Sequence, residues 1–271
     1  PDSLVFIVFH AGLSQDISYP TLDPTIYDLK SAYIDSTMMK NAITQGVIPS
    51  KIKDVSIYTG IILPETNNHI YYDVIEDIYG DENLCAYQLG ITGIFAFNLG
   101  YALGLPPMFN NDPSSIYFGD PGVGYFGLMD YGSNNGRGVI PAPPTPWTRI
   151  KAGWSEVVNI DSEQSIIIEP YDIDNKIYKI DISEDEYFLI ENRNNWVLPL
   201  VDIDSLRSKH KINENQLGYW FDVVTDLEGE FIENDLIKID SETNVITAFD
   251  HYDYGLPGSG ILIWHIKEPD E

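Results

Sequence analysis

The side chains able to ligate a metal or move a proton are scattered along this chain. Its histidines are His10, His69, His210, His251 and His265, and no two stand in an HxH or HxxxH spacing. Those spacings put two imidazoles on one face of a strand or a helix. Each histidine is therefore read as structural, with His10, at the end of an apolar strand, kept as the one candidate beside a cleft. Cys85 is the single cysteine, so an intrachain disulfide and a thiolate zinc site are excluded. Within ENLCAYQLGI it reads as a small buried hydrophobe. Gly258-Ser259-Gly260 lacks the GxSxG pattern and the strand-turn-helix setting of a serine nucleophile. Glu186 and Glu191 suggest an acid and base pair, but their offset along a strand sends them to opposite faces. Glu191 with Arg193 reads more simply as a structural ion pair.

Hard cations take carboxylate and carbonyl oxygens, so calcium is the one cofactor this composition suggests. The clusters Asp172/Asp174, Asp202/Asp204 and Asp222/Asp226/Glu228/Glu230 offer such oxygens, but none completes an EF-hand loop. The loop NNDPSSIYFGD, residues 110–120, is better placed, through backbone carbonyls and Asp112 or Asp120.

The elements that must position these groups belong to a folded protein. With 271 residues and 44% hydrophobic side chains the chain can bury a substantial core, and 18 Tyr, 11 Phe and 5 Trp favour packing over disorder. Its 42 acidic residues against 15 basic ones give a net charge of -27. Such a chain repels phosphate backbones and anionic lipid, which argues against a nucleic-acid partner. No apolar run reaches the roughly 18 residues of a membrane span, and no secretory leader pattern opens the chain. The chain starts at Pro1, passes almost at once into LVFIVFHAG and closes after HIKEPDE, so it is expected to be part of a longer protein with other domains.

Residues 4–10, LVFIVFH, predict a strand covered on both faces. A short helix is expected within 33–46, a strand in VSIYTGIIL, and a core helix over most of 84–104 despite its internal glycines. Residues 105–146, rich in Gly, Pro, Asn and Asp, form a long loop region followed by a short helix around WTRIKAGW. Beyond 155, SIIIEP, KIYKI, EYFLIEN, YWFDVV, FIENDLIKI, VITAF and GILIWHI alternate with turn residues and predict an antiparallel β-rich module. The expected organisation is thus residues 1–154 and residues 155–271, with no fixed-period repeat.

The stretch FNLGYALGLPP, residues 97–107, resembles the HExGHxLGLPD helix of the immune inhibitor A-like secreted metallopeptidases, which are close to the metzincins. Gly100, Leu103, Gly104, Leu105 and Pro106 fit that pattern. FGLMDYGS, residues 126–133, resembles the turn that sets a methionine, here Met129, beneath the metal, although an ordinary core Met is the preferred reading. Trp147, Gly153-Trp154, EYFLIENR at 186–193 and GLPGSGILIWHI at 255–266 resemble the rest of the family frame, so the likeness touches almost the whole chain. It implies an α+β fold: a metzincin-like core of mixed sheet and central helix, then a packed antiparallel β module. It also implies a secreted or cell-envelope protein.

The resemblance places Phe97 at the first zinc histidine, Asn98 at the general-base glutamate, Tyr101 at the second histidine and Pro107 at the third ligand. Phe and Pro offer a cation no side-chain lone pair, Asn is no base near neutral pH, and a phenol with a pKa of about 10 is a poor lone ligand. No catalytic zinc is expected, and aromatic packing is expected to fill the vacated volume. The reading is a pseudopeptidase that binds a peptide or protein ligand or supports neighbouring domains. The alternative is a zinc endopeptidase whose noncanonical site is assembled from distant residues.

Overall fold

The computed structural model describes residues 4–16, 28–67, 90–171, 173–195, 237–240, 246–249 and 252–268. Backbone packing divides the chain into one unit of Pro1–Pro107 with Arg137–Val139 and a second of Met108–Gly136 with Ile140–Glu271. The boundary expected near 155 falls inside the second. The fold is α+β, with few helices and with mixed and antiparallel sheets among the described residues.

In the first unit the elements run β1 (Ile7–Leu13), β2 (Ala32–Ile34), α1 (Ser36–Thr44), β3 (Lys51–Ile52), β4 (Val55–Ser56), β5 (Gly60–Thr66) and α2 (Thr92–Ala102). Helix α1 starts where the Asp35 carboxylate accepts the backbone N–H groups of Thr37 and Met38, both at 2.7 Å, an N-cap. Strand β5 is central, parallel to β1 and antiparallel to β2, which makes the sheet mixed. Its Ile61 and Leu63 are fully buried, and α2 packs against β2 and β5. The two-sided cover expected for the first strand is not found. Val8 and Phe9, which as neighbours point to opposite faces of the strand, are 59% and 55% exposed, and among the described residues β1 is an edge strand with β5 central.

The second unit contains α3 (Pro146–Lys151), β6 (Glu156–Asn159), β7 (Lys176–Asp181), β8 (Glu186–Arg193), β9 (Ile237–Ile239), β10 (Ile246–Phe249) and β11 (Gly260–Lys267). Strands β9 and β10 pair antiparallel, and the larger sheet has the order β11-β8-β7-β6. Period-two alternation sets its inner face. Ile177, Tyr187 and Leu189 are buried there, with Trp264 and Ile266 beside them and Trp147 and Ile150 of α3 packed against them. Each aliphatic side chain fully buried this way stabilises the fold by about 1.5–3 kcal/mol.

Two expectations for this module need correction. The sheet is not wholly antiparallel, since β6 runs parallel to β7. The connection over 160–175 exceeds the roughly dozen residues a parallel return requires. SIIIEP forms no strand within that connection; it meets β8 through an isolated bridge between Pro170 and Asn192 and through the Ile168 carbonyl, which accepts the Asn192 side-chain amide at 2.9 Å.

Cys85, His69, His210, His251, Asp172, Asp202, Asp204, Asp222, Asp226, Glu228, Glu230 and the YWFDVV segment lie outside the described residues. Among the described residues no helix is long and apolar enough to cross a membrane.

Candidate functional site

Helix α2 occupies Thr92–Ala102 of the apolar run, whose residues 84–89 lie outside the described ones, and its end is built by local chemistry. Gly104, at φ 84°, follows the C-cap residue Leu103 in the left-handed region that favours glycine. The Gly104 N–H bonds the Tyr101 carbonyl and the Leu105 N–H bonds the Gly100 carbonyl, each at 2.9 Å. These two bonds make a Schellman motif, and Pro106 and Pro107 stand where a helix cannot continue. The LGLPP segment therefore has a folding role independent of any metal.

Phe97 and Tyr101, one turn apart, share a helix face as two ligands would. Their rings instead meet edge to face, with centroids 4.9 Å apart and planes at 87°. Tyr101 also stacks on Tyr33 of β2, with centroids at 6.5 Å and planes at 6°. Burial pushes the Tyr101 pKa above that of an ordinary phenol, which favours the neutral hydroxyl. Asn98 is buried, and its side-chain amide donates to the Ile94 carbonyl one turn back at 2.8 Å. Pro107 is half-buried and has no side-chain donor atom. Zinc needs several N, O or S atoms within about 2.0–2.3 Å, and this set does not fit it.

The other candidates are dispersed. His10, opposite Pro64 in the β1–β5 register, contacts the Ala11 carbonyl through Nδ1 at 3.2 Å, while its enclosed Nε2 has no hydrogen-bond partner. His265 bonds the Glu186 carboxylate through Nε2 at 2.7 Å on the exposed sheet face. Among the described residues no three His, Cys, Asp or Glu side chains converge where they could hold a metal.

The Gly-rich region of the second unit is organised around Asp130, which the sequence reading did not single out. Its Oδ2 accepts the consecutive backbone N–H groups of Gly122, Val123 and Gly124, all at 2.8 Å, and its Oδ1 accepts from Tyr131 N–H at 2.8 Å. This is a backbone anion nest filled by an internal carboxylate. Gly122 is required there, since a Cβ would lie 2.2 Å from the Met108 carbonyl oxygen. The available signal was an Asp following the closely spaced glycines of DPGVG. Met129, next in the chain, is buried, and its carbonyl accepts the Met108 N–H at 2.8 Å.

Asp112 and Asp120 are exposed at opposite ends of the 110–120 loop. Asp112 Oδ1 accepts from the Ser114 hydroxyl at 2.7 Å and the Ser114 N–H at 2.9 Å, and these bonds lower its pKa. The Asp120 carbonyl accepts the Asn110 N–H at 2.9 Å.

A buried polar cluster joins α3, β8 and the short turn Tyr252–Gly255. Arg149, Glu191, Arg193 and Asp253 are at most 2% exposed. Glu191 Oε2 accepts from Arg149 and from Arg193 Nη1 at 3.1 Å, and Oε1 accepts from Trp264 Nε1 at 3.2 Å. Arg193 pairs with Asp253 through Nη2 and through Nε at 3.0 Å. The two guanidinium groups lie 4.3 and 4.6 Å from the Tyr171 ring centroid. Burial lowers the Arg149 pKa, partly offset by Glu191; Arg193 is raised overall, because Glu191 and Asp253 outweigh its desolvation. Two buried cations and two buried anions balance, so the cluster ties elements together. The Glu191–Arg193 pair was readable from sequence. Arg149 and Asp253 were not, because their partners lie 42 and 60 residues away. On β8, Glu186 and Glu191 lie on opposite faces, the first half-buried and the second buried, so they form no acid and base pair.

Compared with known proteins, the chain matches no family model, no curated protein and no solved structure.

Proposed function

We propose that this chain is a noncatalytic domain of metallopeptidase descent, resembling the immune inhibitor A-like enzymes and their metzincin-like core. It acts in a secreted or cell-envelope protein by binding a peptide or protein ligand or by supporting neighbouring domains. One observation carries the reading: the helix face that would present two zinc histidines holds the Phe97–Tyr101 edge-to-face pair, closed by Tyr33. The buried Asn98 amide, bonded within its own helix, supports it, since it is no proton acceptor at the base position. Calcium on Asp112 or Asp120 belongs to the same proposal as a stabilising ion, not as a catalyst.

The test is metal content by mass spectrometry after equilibration with excess zinc and calcium and removal of loosely held ions, with a casein cleavage assay alongside. The expected result is no tightly held zinc and no chelator-sensitive cleavage. About one retained zinc per chain, together with such cleavage, would overturn the reading in favour of an endopeptidase that recruits distant ligands. Calcium retained by the native chain and lost in Asp112→Asn/Asp120→Asn would locate the ion in the 110–120 loop.

A further inference from the structure

We infer that the tip of the 110–120 loop, Ile116-Tyr117-Phe118, is a preordered apolar anchor for a protein partner. That partner presents an apolar surface bordered by lysine or arginine, for which an amphipathic Leu/Lys helix is the probe. The inference rests on the binding role proposed above only in expecting a protein ligand.

These three consecutive large side chains are 90%, 60% and 59% exposed. Scattered apolar residues on a surface need no explanation, but three consecutive large apolar side chains exposed together mark a candidate interaction site. The tip is also held in shape. Phe109 and Pro121 close the loop base with a β-bridge, and Gly119 N–H bonds the Asn110 carbonyl at 2.7 Å. Inside the loop, the Ser115 hydroxyl oxygen accepts from Tyr117 N–H at 3.1 Å and from the Asn110 side-chain amide at 3.2 Å. Tyr131 holds the far side, donating its hydroxyl to the Gly119 carbonyl at 3.1 Å. A surface fixed this way loses little freedom on docking, so more of the apolar contact appears as affinity.

Charge selects the partner. When no calcium is held there, Asp112 and Asp120 present two exposed negative charges flanking the tip, and the whole segment 108–136 contains three Asp and no Lys or Arg. With the chain at -27, a second copy and an anionic bilayer are both repelled, whereas a cationic border around an apolar stripe is attracted.

The experiment measures fluorescence anisotropy of a labelled synthetic Leu/Lys amphipathic helix with the whole chain, beside a Ser/Lys peptide of equal charge. Ile116→Ser/Tyr117→Ser/Phe118→Ser leaves net charge unchanged, and circular dichroism verifies its fold. Phe118→Ser alone serves if the triple variant misfolds. The native chain is expected to bind the Leu/Lys peptide at least about tenfold more tightly than either the Ser/Lys peptide or the tip variant does. Asp112→Asn/Asp120→Asn is expected to weaken binding a few-fold and flatten its salt dependence. Equal binding by native chain and tip variant, or of both peptides, would assign the attraction to bulk negative charge and overturn the inference. Absence of binding would overturn it as well. Tip-dependent adsorption to phosphatidylcholine vesicles in preference to the peptide would make the anchor a lipid-binding one, and tip-dependent dimerisation in sedimentation would make the occupant a second copy. Each of these also refutes the stated partner. Zinc uptake would sink the noncatalytic reading and leave the anchor result unaffected.

Discussion

Replacing Glu191 with Gln removes one charge from the buried cluster while keeping its size. Arg149 and Arg193, each 2% exposed, would then share only Asp253 as a compensating anion, and Asp253 bonds Arg193. The amide oxygen can replace only one carboxylate oxygen: in the place of Oε2 it leaves the Trp264 indole N–H facing an NH2 group, and in the place of Oε1 it leaves both guanidinium groups facing one. Removing one partner of a buried ion pair costs about 3–5 kcal/mol. For a unit the size of Met108–Gly136 with Ile140–Glu271, unfolding entropy is about 0.3 kcal/mol/K, so melting should fall by roughly 9–15 °C. Differential scanning calorimetry at neutral pH measures this directly. Glu186→Gln is the control on the same strand. Its exposed pairing with His265 lies on the opposite sheet face, and it should shift melting by no more than about 2 °C. Arg149→Met combined with Glu191→Leu removes the stranded charge with its partner and should recover at least about half of the loss. If Glu191→Gln melts within about 2 °C of the native chain, charge balance is not what holds α3 to the sheet, and the reasoning fails.

Asp130→Asn should cost about 2–4 kcal/mol, because an amide cannot receive four backbone N–H groups as a carboxylate does; a urea midpoint lowered at constant slope would report it. Gly104→Ala meets open space and so costs only the left-handed backbone penalty of about 1–2 kcal/mol. Faster amide exchange at Leu103 and Leu105, with exchange in β8 unchanged, is the expected sign. The Glu268 carboxylate accepts from Tyr187 OH at 2.7 Å and Trp147 Nε1 at 3.0 Å, which lowers its pKa. A lowered carboxyl pKa contributes stability above the unfolded value of about 4.3 and loses it as pH falls through the folded value. The melting difference between native chain and Glu268→Gln should therefore be steady near neutrality and shrink below roughly pH 4; a difference that grew on acidification would contradict the assignment.

Where the sequence carried local information, the fold was legible. Alternation located β7, β8 and β11 within a residue or two, the WTRIKAGW segment located α3, and the onset of the Gly- and Pro-rich stretch at 105 marked the end of α2. What could not be read was pairing across distance. The exposed edge position of β1, the parallel placement of β6 beside β7, and the meeting of Arg149 with Glu191 depend on topology, which composition and period do not encode. The candidate site divides in the same way. That Phe97 and Asn98 offer no zinc ligand or base, and Tyr101 only a poor one, follows from residue type alone, whereas the Tyr33–Tyr101 stack and the Asp130 nest required coordinates.

The crossover between β6 and β7 is pinned to β8 around Asn192, where Pro170 bridges it, the Tyr171 N–H bonds its carbonyl at 2.9 Å and its side-chain amide donates to the Ile168 carbonyl at 2.9 Å. That staple divides one long tether into two shorter ones of unequal tolerance. Extra residues spliced into 161–167 lengthen a free surface arc, at an entropic cost that grows only logarithmically. On the far side, Ile173 and Asp174 N–H groups turn back onto the Pro170 carbonyl at 2.9 and 3.1 Å, immediately before β7. A single added residue there has no slack to absorb it and would slip the register of β7 against β8, exchanging the faces of Ile177 and Tyr178. The first arc is thus where a tag or a foreign peptide can be grafted, and the second is where it cannot.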